Sequence, residues 1–373
     1  MPLGLVSVLG KDFLSRECAM NGPSSAIWHD GLPAAIDAVA AAAPGPHRFL
    51  RRAWYAAAVR DNARTLMVEG RLALPVVARG PRWLGLSEVP GCYWPLRSFP
   101  LADPDAVAVA LPMLERGVRA LRIGPVPDGD AGVVPLVAAA RAAGWAVLDR
   151  FVADSWLLDL AALRAAGGWP RNSTLKKNRF HEKHLAEHGA LEWRFLGADD
   201  WPAAFDMLGE VEHKSWIAAR TNGRDAKFTH DGHLAFWRAA ARDPALAAMM
   251  RAALLTVDGR PAAFSFDMET GGTCYAIANS YDPAFAKHSP GKLLYWRNLS
   301  AMLAREIGVV DWGAGDSGYK QVIGAKRGPA MRDWLLVRPG VAGAVARRLA
   351  SVWSRSGQGS GADDRGHAPS QPG

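Results

Sequence analysis

The chain has 373 residues, of which 49% are hydrophobic and 21% charged, as expected of a globular protein with about two domains. Its formal net charge of +8 favours anionic partners such as nucleotides, nucleic acid or acidic lipid, although an arginine-rich composition alone also accounts for that charge. The three cysteines (Cys18, Cys92 and Cys274) lie far apart, which excludes a disulfide framework and the ligand spacing of a metal site.

No segment reads as a targeting signal or a membrane span. The N-terminal stretch MPLGLVSVLGKDFL lacks the basic start and the cleavage site of a secretory signal. No run of about 18 uncharged apolar residues occurs, because Arg141 interrupts the most apolar stretch at 132–149. These features predict a cytoplasmic protein without a membrane span.

Helices and strands are predicted to alternate in the first half, which indicates a mixed α/β layer. A hairpin turns at Glu69-Gly70. The predicted helices are 31–43, 47–60, 104–117 and 131–143, and the predicted strands are the hairpin at 65–80, a strand at 120–125 and a strand pair near 145–160.

The second half is predicted to open at Trp169-Pro170, with a basic helix that Ser173 caps and Gly189 ends. Another hairpin turns at Asp258-Gly259. The predicted helices are 173–189, 200–220, 231–241 and 290–307, and the predicted strands are 191–196, the hairpin at 253–268, a strand at 274–282 and a last strand at 309–315.

Two segments of the first half recur in the same order in the second half, which predicts an internal duplication. LMVEGRLALPVV (66–77) matches LLTVDGRPAAFSFD (254–267), and ALRIGPVPDGD (120–130) matches VVDWGAGDSG (309–318). The predicted domains are an N-terminal lead and helix at 1–44, a first half at 45–165, a second half at 166–340, and a short basic helix with a disordered, Gly- and Ser-rich tail at 341–373.

The most informative segment reads strand, loop, helix, strand: YAIANSYDPAFAKHSPGKLLYWRNLSAMLAREIGVVDWGAGDSGYK (275–320). Ser289 stands at the N-cap position of this helix. A helix start offers unpaired N–H groups and the positive end of the dipole, so it suits a phosphate. Lys287, His288 and Lys292 crowd that end, which is unfavourable unless an anion sits among them. The alternative is an ordinary capped core helix with solvated lysines.

The order strand, (S/T/N)-x-Y-D-P-x-(F/Y)-x-x-x-S-P-G-x-L, helix, strand, D-(W/F)-G-x-G-D-x-x-Y-K resembles the CelD/BcsL-type acetyltransferase domain. That domain is a branch of the GNAT superfamily linked to FemAB-like transferases. The similarity covers about residues 45–340. It implies an α/β (α+β layered) tandem GNAT-like acyl-CoA N-acyltransferase fold, with two similar halves whose mixed sheets are flanked by helices. Upstream residues that support the similarity are Ser173, Lys176, Lys177, Arg179, Glu210, His213, Lys214, Ser215, Trp216 and the string GCYWPLRSFP (91–100).

The resemblance implies an enzyme that moves an acetyl or other acyl group from acyl-CoA to an amine or hydroxyl. The acceptor would be a small molecule or a glycan precursor of the cell envelope or an exopolysaccharide. The donor thioester of such a fold lies between two splayed strands, where a backbone N–H polarises its carbonyl. The implied roles are Glu212 and His213 as base, Asp316 to orient the amine, Tyr319 as acid, Lys287, Ser289, Gly291 and Lys292 for acyl-CoA, and Trp216, Tyr281 and Lys320 for the acceptor.

One position departs from ordinary GNAT loops, where Gln or Arg stands in place of Ala286, so Lys287 or Lys292 would have to hold the pyrophosphate. The alternatives are an aminoacyl-tRNA-dependent FemAB-like transferase and a non-catalytic accessory protein of polysaccharide synthesis. The intact G-D-x-x-Y-K block argues against the accessory protein. His184 and His188 have the i, i+4 spacing of metal ligands but no third ligand nearby, so a solvated basic face is predicted instead. The absence of G-x-S-x-G, Walker and G-x-G-x-x-G motifs argues against hydrolase, nucleotide and dinucleotide chemistry.

Overall fold

The computed structural model of the chain describes residues 25–59, 62–81, 85–167, 172–215, 226–305, 307–315 and 318–356. The strands are β1 Ala26–Asp30, β2 Ala63–Val68, β3 Leu72–Ala78, β4 Leu86–Glu88, β5 Ala120–Pro127, β6 Ala146–Asp159, β7 Leu191–Leu196, β8 Met250–Val257, β9 Arg260–Thr270, β10 Thr273–Tyr281, β11 Val309–Ala314 and β12 Lys326–Val337.

The α-helices in these ranges are α1 Ile36–Ala42, α2 Arg52–Ala58, α3 Ala106–Gly117, α4 Val133–Ala142, α5 Leu160–Ala166, α6 Asn172–Leu185, α7 Phe205–Lys214, α8 Leu234–Ala240, α9 Pro244–Met249, α10 Pro290–Ala304, α11 Tyr319–Val322, α12 Val341–Arg348 and α13 Ala350–Arg355. Short 3-10 helices cover Gly45–His47, Ala186–His188, Ala198–Asp200 and Pro283–His288.

All of these strands join one twelve-stranded sheet in the order β1-β2-β3-β4-β5-β12-β6-β11-β10-β9-β8-β7. The order is symmetric about the centre of the sheet. Counted from the two ends, β1 is matched by β7, β2 by β8, and so on to β6 and β12 at the centre. The pairing is matched as well: β2–β3 and β8–β9 are antiparallel hairpins, and β4–β5 and β10–β11 are parallel pairs. The chain therefore has the predicted α/β fold of two similar halves.

The two predicted hairpins at 66–77 and 254–267 occupy these matched positions, as the duplication requires. Asp258 (φ 48°) and Gly259 (φ 72°) both have positive φ at the β8–β9 turn, the conformation that matches the twist of a two-residue hairpin. Asp adopts this conformation more readily than most residues, and the carboxylate of Asp258 accepts the N–H of Ala190, 68 residues earlier, at 2.7 Å.

Two predictions about strands are wrong. The strand pair expected near 145–160 is one strand of fourteen residues, β6, which pairs with β12 along one edge and with β11 along the other. The strand at 309–315 is not the last, because β12 follows it and inserts between β5 and β6. β1 and α9 were also not predicted.

Strand β12 carries a buried charge that only its neighbours neutralise. Asp333 is buried and accepts Arg122 from β5 at 2.8 Å and Arg150 from β6 at 2.5 Å. The charged Asp333 and the Gly328-Pro329 pair interrupt the alternation of apolar and polar residues that indicates a strand, so the sequence pattern did not predict β12. Each half thus receives a strand from the other, and one continuous sheet joins the two halves. The domain limits, with their boundary at 165/166, stay a prediction.

Helices cover both faces of the second half of the sheet. On one face α10 packs against β8, β9 and β10, and on the other α7 packs against β9 and β10. The helix predicted at 200–220 is shorter, because only Phe205–Lys214 is α-helical and residues 216–225 lie outside the described ranges. Aromatic contacts join the halves, with Trp54 of α2 edge-on to Phe236 and Trp237 of α8 at 4.8 and 5.8 Å.

Candidate functional site

Strands β10 and β11 separate soon after they meet. They pair in parallel over three residue pairs, of which Tyr275 and Asp311 are the last. Beyond that point β10 follows β9 to Tyr281, while β11 follows β6 to Ala314. A bulge shifts the register of β10 between Ala276 and Ala278, where the two strands part. A bulge leaves its extra residue, here Ile277, outside the regular ladder.

A tryptophan of the first half reaches this gap. The indole Nε1 of Trp94 donates to the carbonyl of Ala276 at 2.9 Å, and its ring lies edge-on to Tyr275 at 6.0 Å. Gly313 faces the same indole: a Cβ on Gly313 would lie 3.1 Å from the ring, and its φ of 76° favours glycine. Trp94 was not among the predicted site residues. Its only signal in the sequence was the aromatic string at 91–100.

Lys320 lies at the carboxyl end of β11 and holds the loop that follows it. The residue is 5% exposed, and its ammonium donates to the carbonyls of Gly313, Ala314 and Gly315 at 3.1, 3.3 and 2.6 Å. Burial raises the pKa of the nearby Asp311 to about 6, against the opposing effects of the Gly313 N–H and of Lys320. The geometry favours a loop-holding role for Lys320, and its assignment to acceptor binding stays a prediction.

Tyr319 begins α11 and packs on the α10 side of the sheet. Its ring stacks on Tyr295 of α10 at 5.5 Å and lies edge-on to Trp312 at 6.1 Å. Burial, together with the charge of Tyr319 and a hydrogen bond to it, raises the pKa of Tyr295 above its ordinary value. Asp316, the predicted amine-orienting residue, lies outside the described residues.

The loop before α10 has the predicted N-cap at Ser289, with an unexpected local geometry. Ser289 adopts a left-handed φ of 51°, and its hydroxyl makes no capping bond. Its carbonyl accepts the N–H groups of Lys292 and Leu293 at 3.0 and 3.2 Å. Pro290 has no N–H, so Gly291 carries the first N–H of the helix. This N–H does not donate to Ser289. Tyr281 lies against this turn, 3.5 Å from where a Cβ of Gly291 would be.

Basic side chains from α6, from the 3-10 helix Pro283–His288 and from α10 meet around this helix start in a basic patch of Lys177, His181, Lys287, His288 and Lys292. The Nε2 atoms of His188 and His288 lie 2.9 Å apart. Burial lowers the pKa of His181, and the charges of Lys177 and Lys292 lower it further. Burial also lowers the pKa of His288, with His188 adding to the effect. Mutual repulsion of this kind is relieved when an anion binds among the cations.

The two predicted bases, Glu212 and His213, stand in different environments at the end of α7. Glu212 is fully buried and accepts the N–H groups of Lys227 and Phe228 at 2.9 and 2.6 Å. Burial raises its pKa, and these two bonds oppose the rise. His213 is exposed, and its neighbour Lys214 lies 3.5 Å from Asp282, which places the end of α7 beside the end of β10. His213 is the better placed of the two to meet a substrate.

The segment Tyr93-Trp94 contacts both groups of candidate residues. Trp94 touches Gly313 near Lys320, and the Tyr93 hydroxyl lies 2.5 Å from the Nζ of Lys227, whose N–H binds Glu212. Direct convergence of Tyr319 with Glu212 or His213 stays a prediction. Trp216 lies outside the described residues.

Two concave cavities lie elsewhere, in the first half and at its contact with β12. One of about 350 Å³ is lined by Val59, Val77, Glu88 and Arg97, and one of about 240 Å³ by Asp130, Val137 and Trp334. In the described part of the chain, no three His, Cys, Asp or Glu side chains are arranged to hold a metal ion. No helix in the same ranges is long and apolar enough to cross a bilayer.

Known proteins agree with this geometry at the level of the fold. Residues 172–321 match the family described as an acetyltransferase (GNAT) domain. The structure of FemX covers 84% of this chain and 97% of its own, with 9% identity and a TM-score of 0.52. The C-terminal domain of a candidate lysylphosphatidylglycerol synthetase from Agrobacterium fabrum covers 87% and 96%, with 17% identity and a TM-score of 0.50. A search of curated proteins finds no match.

The fold is therefore a tandem GNAT-like fold. The domain that the family describes lies in the second half, which contains the β10–β11 gap and the basic patch. The first half repeats the same strand order.

Proposed function

We propose that the protein transfers an acyl group from acyl-CoA to an amine or hydroxyl, with the donor thioester in the gap between β10 and β11. The observation that carries the proposal is the separation of these strands at a bulge, next to a helix start ringed by cations. The bulge supplies an N–H for the thioester carbonyl, and the basic patch supplies charge for the phosphates of CoA. Lys287 and Lys292 are both exposed and replace the Gln or Arg absent at Ala286.

The reaction needs a base and an acid on the two sides of the thioester carbon. The acceptor nitrogen attacks the carbonyl carbon and loses a proton to His213, directly or through a water molecule. The C–S bond then breaks, and the thiolate takes a proton from Tyr319, the first residue of α11. An amide and free CoA are the products. Glu212 fixes the chain at Lys227 and Phe228, and Lys320 fixes the Gly313–Gly315 loop.

The acceptor and cellular setting follow from the resemblance to CelD/BcsL-type domains. We assign the protein to the cytoplasm and to cell-envelope or exopolysaccharide synthesis, with a glycan precursor or small molecule as acceptor. The halves at 45–165 and 166–340 would act as one unit, because Trp94 of the first lies in the gap of the second.

Release of free thiol from acetyl-CoA, with mass spectrometry of the acylated acceptor, tests this function over a panel of amines and amino sugars. Tyr319→Phe keeps the ring stack on Tyr295 and removes the hydroxyl, so turnover should fall by roughly ten- to ten-thousand-fold. The fold should stay intact, with the thermal unfolding midpoint lowered by only a few degrees because the buried Tyr295 hydroxyl loses a hydrogen-bond partner. Absence of thiol release with every acceptor and acyl length would contradict the proposal and favour an accessory protein.

A second candidate function has its own observation in its favour. Exposed cations continue along α6 from the basic patch: Lys176, Lys177, Arg179 and Lys183. A surface this long suits a polyanionic donor such as aminoacyl-tRNA, and FemX shares the fold. Aminoacyl-tRNA replaces acetyl-CoA as donor in the same assay. Transfer from it alone would establish this function.

A further inference from the structure

Four aliphatic side chains form an exposed stripe near the carboxyl end of the described chain. Helices α12 and α13 are separated only by Leu349. Large hydrophobic residues are usually buried, yet those of this segment are between 51% and 83% exposed: Val341, Val345, Leu349 and Val352. At about 100° per residue the four fall within an arc of about 80° on one helical face.

Two residues near the end of the same helices, Trp353 and Ser356, contact strand β6. The guanidinium of Arg150 on β6 lies 4.6 Å from the ring of Trp353 and donates to the hydroxyl of Ser356 at 3.0 Å. Gly343 is buried so closely that a Cβ would lie 2.8 Å from the carbonyl of Arg338. These contacts attach the helices to β6 and leave the stripe exposed.

Charge decides which occupant fits the stripe. Residues 341–356 contain three arginines and no acidic residue. On the same helical wheel Arg348 and Arg355 fall within about 40° of one edge of the stripe. Arg347 points away and lies 3.5 Å from the carbonyl of Gly144. A second copy of this surface would offer no acidic side chain to the exposed arginines, whereas an anionic bilayer offers both phosphate groups and an apolar layer.

We infer that α12 and α13 form a docking surface for an anionic membrane, with the stripe of Val341, Val345, Leu349 and Val352 inserted at the headgroup boundary. Arg348 and Arg355 bind lipid phosphates beside it. The helices lie in the plane of the interface and do not span it. The full chain therefore associates reversibly with anionic lipid, independently of acyl transfer.

Cosedimentation of the full-length protein with vesicles tests the inference. Vesicles of phosphatidylcholine alone are compared with vesicles containing equal phosphatidylcholine and phosphatidylglycerol. The wild type should partition at least tenfold more strongly into the anionic vesicles, and 0.5 M salt should weaken the binding. The double variant Val345→Asp, Leu349→Asp should lower the partition constant at least tenfold.

Two further variants separate docking from misfolding. Arg348→Gln with Arg355→Gln leaves the contacts of Trp353 and Ser356 untouched and should lower partitioning about twenty-five-fold, from about fivefold for each arginine. Val134→Asp on α4 is a matched control, because Val134 is 52% exposed and Val345 51%. It should bind as the wild type does. Equal loss in that control, no sedimentation of the wild type, or a dimer in light scattering that only the Val345 and Leu349 variant dissociates would overturn the inference.

Discussion

Replacing the Lys320 ammonium tests whether this lysine holds the loop after β11 or binds the acceptor. In the fold it donates to three carbonyls, of which Gly315 is nearest at 2.6 Å. Each hydrogen bond from a charged donor contributes about 1.5–3 kcal/mol, and desolvation of the buried ammonium opposes the sum by several kcal/mol. Lys320→Met should therefore lower the free energy of unfolding by about 2–4 kcal/mol. It should also raise the pKa of Asp311, which Lys320 now lowers.

Urea unfolding followed by tryptophan fluorescence measures this difference. Lys326→Met is the matched control, because Lys326 is exposed on β12 and its loss should change stability by less than about 0.5 kcal/mol. If Lys320→Met is as stable as this control and instead raises the KM for the acceptor, the loop-holding role is refuted and acceptor binding stands.

Two further predictions concern a buried acid and the wall of the gap. Burial raises the pKa of Asp267 to about 7 from 3.8, so its contribution to stability is present below pH 4 and is lost as the pH rises through 7. Urea unfolding between pH 4 and 8 should show the free energy of unfolding falling as the pH rises. Asp267→Asn should reduce that slope by up to about 1.4 kcal/mol per pH unit. An unchanged slope would show that Asp267 does not cause the pH dependence. Trp94→Ala should raise the ratio of kcat/KM for octanoyl-CoA over acetyl-CoA at least tenfold, because the indole lies against the bulge at Ala276. Trp94→Phe should change the ratio less, and the same ratio in all three proteins would place the acyl chain elsewhere.

The sequence predicts best those parts of the fold that rest on local signals. Two turn residues and alternating side chains predict the hairpin that turns at Asp258-Gly259. Ser289 at the N-cap and an apolar stripe that includes Leu293 and Leu299 predict helix α10. Both the position of the basic patch and that of the G-D-x-x-Y-K block follow from such local patterns.

Contacts between distant segments could not be predicted from pattern alone. Strand β12 is stable in the centre of the sheet because Asp333 meets Arg122 and Arg150, which lie about two hundred residues earlier in the chain. Trp94 reaches Ala276 across a sequence separation of 182 residues. Local composition does not show which distant residue Asp333 or Trp94 contacts, so the exchange of strands between the halves and the shared gap could be seen only in the folded structure.

A small signal did exist for the Asp311–Lys320 pair. An Asp in an otherwise apolar strand needs a compensating group, and the next lysine follows nine residues later, after three glycines. Gly313, Gly315 and Gly318 all have positive φ, which lets the loop turn back so that Lys320 reaches the end of the strand. The family resemblance implied acceptor binding for Lys320 instead.

Binding of the acyl donor is the central claim, and calorimetric titration of the full-length protein with acetyl-CoA tests it most directly. We expect one site per chain, weakened about tenfold or more by Lys292→Glu, because a carboxylate would then face the phosphates at the start of α10. Lys326→Glu, a charge reversal on exposed β12 outside the basic patch, should leave the affinity unchanged. Absence of binding by the wild type, or equal affinity in all three proteins, would contradict the assignment of the β10–β11 gap and the basic patch as the donor site.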